Sequence, residues 1–154
     1  MIARFVALKK EPRRVLEVLA EYDAVLDTAE ENLRVGGKTL EKANRENASW
    51  MVYYDQRRIE LQKLSDFFQS LLDRKYSVLY KSYKEGYSRE LGERSIDKYI
   101  QNDEEYLALY ELLLDIKEVL MKYESFVEAF KARGYALNNI TRARVASVHD
   151  YTIE

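Results

Sequence analysis

From residue 38 to residue 85 the chain contains neither glycine nor proline. Through this stretch a seam steps by alternating threes and fours: Leu40, Ala43, Asn47, Trp50, Tyr54, Arg57, Leu61, Leu64, Phe68, Leu71, Lys75 and Val78. That is the period of an α-helix with one apolar face. The spacing predicts a single helix from about Thr39 to about Lys84, closed by Gly86. Roughly 45 residues at 1.5 Å each reach about 70 Å, whereas a domain of this size is only ~30 Å across. Such a helix either bends sharply or lays its seam against another copy, and unbroken 3-4 stepping favours coiled-coil-like self-association. Asn47, Arg57 and Lys75 stand where apolar residues are expected. One such polar residue commonly fixes register, but three point to a seam that is interrupted or partly wet. A homo-oligomer is expected.

The rest of the chain is read the same way. Its 154 residues include one proline, five glycines and 34% charged side chains, a mixture that favours helix and starves turns. An N-terminal helix is predicted from Pro12 through Val15, Leu19, Tyr22, Leu26, Ala29 and Leu33 to a stop at Gly36-Gly37. A third helix opens with Asn102 or Asp103 as cap and carries Glu104 and Glu105 in its first turn. It continues through Tyr106, Leu109, Leu113, Ile116, Leu120, Tyr123, Val127 and Phe130 to Gly134, expected as a left-handed C-cap. A short helix after Asn138 and a loose tail complete an all-α architecture, a long-helix hairpin or bundle. The division expected is an N-terminal helix (1–35), a helical domain (36–146) and a tail (147–154).

Composition narrows the chemistry. With no cysteine there is no disulfide, no thiolate metal site and no cysteine nucleophile, which suits a reducing compartment. Uncharged runs fall far short of the ~20 residues that span a bilayer, and Met1–Leu8 is too short for the apolar part of a signal peptide. A soluble, cytoplasmic protein is expected. The single histidine, His149, sits in the tail without a Glu-x-x-His neighbour, and Gly36-Gly37 lacks the strand and Lys-Ser/Thr of a phosphate loop. Asp103, Glu104 and Glu105 are explained by capping, while Glu111, Asp115 and Glu118 form an exposed helical face. No nucleophile is paired with an oriented base, so neither catalysis nor a cofactor is expected.

Charge is segregated although the net charge is only −2. Asp103–Glu128 holds eight acids against two lysines, and Lys131–Arg144 holds four bases and no acid. Between Arg74 and Tyr99, five tyrosines stand among seven Lys/Arg residues, with no acid from Arg74 to Lys84. Rings set among cations can stack on unpaired bases while the cations follow phosphates. They can equally seal the edge of a core. Tyr76, Tyr80, Tyr83 and Tyr87 share a narrow arc beside the core positions Phe68, Leu72 and Leu79, with Arg74 and Lys81 beyond the stripe and Lys84 between. The residues read as a single-stranded DNA surface are Arg74, Lys75, Tyr80, Lys81, Tyr83 and Lys84, and Gly86 to Tyr99 reads as a connecting turn. A second basic element comprises Lys131, Arg133, Arg142 and Arg144 with Tyr135 and Ile140. Lys131 and Arg133 could simply compensate a helix C-terminus, and Arg142 and Arg144 could pair with a neighbouring subunit.

The run Arg133-Gly134-Tyr135-Ala136, then Ile140 and Arg144, resembles a motif of the UvsY-type phage recombination mediators. The order upstream is similar too: Asn47 and Trp50 early in a long helix, Glu60 in its middle, Tyr83 to Gly86 at its end, then Tyr99 and Asp103. The likeness covers roughly Leu33 to Arg144. Two departures are the long N-terminal helix and a basic pair that aligns at Lys81 but not uniquely at Arg74, Lys75 or Lys84. The resemblance implies a ring-like homo-oligomer that binds single-stranded DNA in the cytoplasm, the host's if phage-encoded. It also implies partners: a RecA-class strand-exchange protein and the single-strand-binding protein it displaces. The rival expectation is a structural or scaffolding helical oligomer, such as a phage assembly factor, without a nucleic-acid role.

Overall fold

A computed structural model describes residues 2–34, 36–86 and 92–146, the side chains of residues 2–4 excepted. These residues form six helices and one 3-10 turn with no strand. They are α1 (Ile2–Lys10), the turn Pro12–Arg14, α2 (Val15–Leu26), α3 (Ala29–Leu33), α4 (Leu40–Gly86), α5 (Glu93–Gln101) and α6 (Glu104–Val145). Among them no helix is long and apolar enough to cross a membrane.

The 47-residue α4 and the 42-residue α6 lie antiparallel along most of their length. Lys75 faces Glu105 at one end, Tyr54 stacks on Phe126 and Phe130 further along, and Asn47 reaches Phe130 near the other. Leu61, Leu64, Phe68 and Leu72 interlock with Leu113, Ile116, Leu120, Tyr123 and Val127, and all are buried. Burying each such side chain stabilises the fold by about 1.5–3 kcal/mol relative to exposure. Each long helix therefore satisfies the seam of the other within one chain. The length of α4 no longer calls for a second copy, because α6 is nearly as long.

That length comes from a correction at Gly134. The glycine does not cap a helix but lies inside α6, which runs on to Val145 through the site of the expected short helix. Its role is close approach: a Cβ there would lie 3.1 Å from Asn47 Nδ2. Asn47 Nδ2 donates to Phe130 O at 3.1 Å, so the helices meet backbone to side chain at this point. The other polar seam residues are accommodated at the rim. Arg57 lays its guanidinium 3.6 Å from the centroid of the Tyr53 ring, and Lys75 pairs with Glu105. Val78 departs from the expected seam and is 60% exposed. A straight helix drifts about 20° per heptad against a 3.5-residue repeat, so the buried line has moved to Leu72 and the half-buried Tyr76 and Leu79.

The N-terminal part is three helices rather than one. Pro12 separates α1 from α2, because it lacks the N–H a continuing helix would use. Thr28 Oγ1 donates to Val25 O at 3.2 Å, competing with the backbone for that carbonyl where α2 ends and α3 begins. Leu8, Val15, Val18, Leu19 and Ala29 join the same core as the hairpin. The Phe5 ring packs 4.9 Å from that of Phe67, and the Tyr123 hydroxyl donates to Tyr22 O at 2.9 Å. Gly37, with φ of 75°, supplies the left-handed residue that reverses the chain before α4. Asp103 is the cap of α6, its carboxylate accepting from Tyr106 N at 2.9 Å.

Candidate nucleic-acid interface

The end of α4 beyond Leu72 carries three strips, arranged by its 100° step. Tyr76, Tyr80 and Tyr83 are half-buried, and Arg74, Lys81 and Lys84 are exposed beside them. Farther round, Leu71 and Val78 border a groove shared with α1 and α6. The stripe thus lies on the border between core and cations, as its spacing predicts. Tyr87 and His149 fall outside the described residues, as does the tail 147–154.

The region from Gly86 to Tyr99 is not simply a turn. Gly92 precedes α5, whose Ile96 and Ile100 are buried against the hairpin. This helix engages the tyrosines directly. The Tyr76 hydroxyl donates to Asp97 Oδ1 at 2.5 Å, and the Tyr83 ring stacks on that of Tyr99 with centroids 5.6 Å apart. Tyr80 stacks on Tyr76 at 6.1 Å, and the Lys84 ammonium lies 5.6 Å from the Tyr80 centroid. The tyrosines are therefore a ring ladder holding α5 to α4, with one margin turned toward the cations.

The hydrogen bond to Asp97 pushes the Tyr76 phenol up to about 12 from an ordinary 10.0, with burial adding to it. The protonated phenol is the donor, so the folded state favours the neutral form. This contribution is complete below the ordinary pKa of 10.0 and disappears as pH rises through about 12. Wild-type protein is expected to lose thermal stability relative to Tyr76→Phe across that window. Parallel melting curves of the two proteins between those pH values would refute the link.

Of the cations, Lys75 is not available as expected. It is half-buried and paired with Glu105, so it closes the helix pair instead of facing outward. Arg74, Lys81 and Lys84 form no ion pair among the described residues, and they share a continuous arc on which Arg74 and Lys81 sit two turns apart. Lys81 and Lys84 flank the tyrosine margin.

The second basic element does not come together. Arg133 is 8% exposed, and its Nη1 donates to Asn32 O at 2.7 Å, tying α6 to α3. Its Nε and Nη2 are buried with no hydrogen-bond partner among the described residues, and burial pulls its pKa below the usual arginine range, partly offset by Glu46. Within the chain it is an internal strut rather than an exposed cation. Tyr135, Ile140, Arg142 and Arg144 are exposed on the last turns of α6. Arg142 and Arg144 occupy the final turn, where a cation opposes the helix dipole, the role expected for Lys131 and Arg133. Lys131 instead pairs with Glu128 at 2.6 Å.

No group of His, Cys, Asp and Glu able to hold a metal occurs among the described residues. The architecture is that of an all-helical long-hairpin protein with a cationic, tyrosine-edged end. Compared with protein-family models, curated proteins and solved structures, the chain matches none.

Proposed function

We propose that this chain binds single-stranded DNA through the exposed arc of Arg74, Lys81 and Lys84, with the outward margins of Tyr80 and Tyr83 offering ring surface to bases. The observation that carries the reading is the absence of any ion pair on these three cations among the described residues, beside a ladder of tyrosines. Exposed Asp73 and Glu85, the latter four residues after Lys81, border the arc, and neither pairs with its cations among the described residues. One copy of such a site is weak, and several copies in a homo-oligomer, a ring for instance, hold a strand by avidity. The order of motifs that resembles the recombination mediators extends the reading. By occupying and bending the strand, the protein would help a RecA-class strand-exchange protein replace a single-strand-binding protein. It has no catalytic step and needs no cofactor.

Fluorescence anisotropy of a labelled oligonucleotide tests this. Three phosphate contacts give a log–log salt slope of about −2 per site, since single strands release about 0.7 counterions per contact. Lys81→Ala with Lys84→Ala is expected to weaken binding about tenfold at low salt with unchanged helicity. Wild-type protein that fails to bind at about 10 µM in low salt would sink the proposal. That outcome would favour the scaffolding reading, which has its own support: each tyrosine of the ladder already has a ring partner.

A further inference from the structure

The helix α6 is apolar on two opposite faces. One carries Leu113, Ile116, Leu120 and Tyr123 into the core. The other presents Leu107, Tyr110, Leu114 and Met121, from 39% to 60% exposed and spaced by three, four and seven residues. A helix with a single partner needs one apolar stripe, and a second in register calls for a second partner. Exposed Lys117 fills the seven-residue gap of this stripe, and exposed Glu104, Glu111, Asp115 and Glu118 edge it on one side, Glu118 being paired with Lys122 at 3.3 Å.

A surface of opposite character lies beside the hairpin. Lys9, Pro12, Leu71, Arg74, Val78 and Leu109 are among the residues lining an open groove of about 260 Å³ where α1, α4 and α6 meet. Its floor is aliphatic and its rim cationic. Val78, 60% exposed, and Arg74, which forms no ion pair among the described residues, stand at its edge. The rim is opposite in sign to the acidic border of the α6 stripe and so complements it, and the floor matches the stripe's aliphatic centre in kind.

We propose that the outer face of α6 docks into this groove on a second copy of the chain. The contact is heterologous, since the two surfaces differ and face different directions, so each copy can give one and receive one. It goes beyond the DNA reading and stands without it. The stripe from Leu107 to Met121 is only roughly 21 Å long, so the association is weak, and charge matching at its border makes it salt-dependent. Arg74 belongs to both the groove and the cationic arc, so a bound strand and a docked copy draw on the same side chain.

Sedimentation equilibrium of the full chain tests the contact with two variants confined to exposed positions. The face variant carries Glu111→Lys and Leu114→Ser, and the groove variant Arg74→Glu and Val78→Ser. Wild-type protein is expected to associate increasingly between about 10 and 200 µM at low salt, and to dissociate in about 0.5 M salt. Each variant alone, with wild-type circular dichroism, is expected to remain a monomer of 18.2 kDa. An equimolar mixture should recover a species of twice that mass, because each variant retains the surface the other lacks. A wild-type monomer throughout, a variant that associates like wild type, or a mixture that stays monomeric would each overturn the proposal. The face variant leaves the cationic arc intact, so its DNA binding reports on that reading separately.

Discussion

Phe130→Ala is expected to destabilise the protein by about 4 kcal/mol, in the range for truncating a buried aromatic where the surroundings cannot collapse. Phe130 is fully buried, and its ring stacks on Tyr54 at 5.2 Å and 16°. Tyr54 is itself fully buried and accepts from Asn32 Nδ2 at 3.1 Å, so removing the ring loosens the junction of α3, α4 and α6 together. Urea unfolding followed by circular dichroism measures the cost. A loss below about 1.5 kcal/mol would mean that the aromatic cluster repacks, contrary to the close fit of this end of the hairpin.

The second large effect concerns Arg133, whose charge is nearly enclosed and only partly hydrogen-bonded. Enclosing a guanidinium costs several kcal/mol, and one bond to Asn32 O with a nearby Glu46 repays only part of this. Arg133→Met keeps the length of the stem and removes the charge, and is expected to raise stability by about 1 kcal/mol. Arg133→Ala removes the stem as well and is expected to lower stability by about 2 kcal/mol through lost packing. The order Met above wild type above Ala, read from the same urea midpoints, is the result to check. Met falling below wild type would show that the strut to α3 outweighs its desolvation.

The long helix was legible because its signal is cumulative: Leu40 to Phe68 repeats one pattern over many turns, and no glycine or proline interrupts it. The cap was legible to within one residue, at Asn102 or Asp103, because a short polar side chain before Glu104-Glu105 is a local signature, and the end of α4 borders residues outside those described. Gly134 lies inside α6 although a glycine near the end of an apolar pattern has the local signature of a terminator. Its true cause, the approach of Asn47, lies 87 residues away in the chain and leaves no local mark. α1 and α5 are nine residues each, too short for periodicity to speak clearly, although Ile96 and Ile100 at a spacing of four carried the α5 signal. At the candidate interface, the arc of Arg74, Lys81 and Lys84 was set by helix geometry alone. The loss of Lys75 to Glu105 and of Arg133 to the interior was not, because both depend on which element packs opposite.

The antiparallel register has a consequence for how charge is spread over the molecule. Lys75 is level with Glu105, and Arg142 lies 37 residues farther along the same helix. At 1.5 Å per residue, that places Arg142 and Arg144 roughly 55 to 70 Å from the cations at the α5 end. The Debye length is about 8–10 Å at physiological ionic strength. Neither end feels the other's field. The charges at the two extremities are therefore screened separately, and a substitution at one leaves the field at the other unchanged.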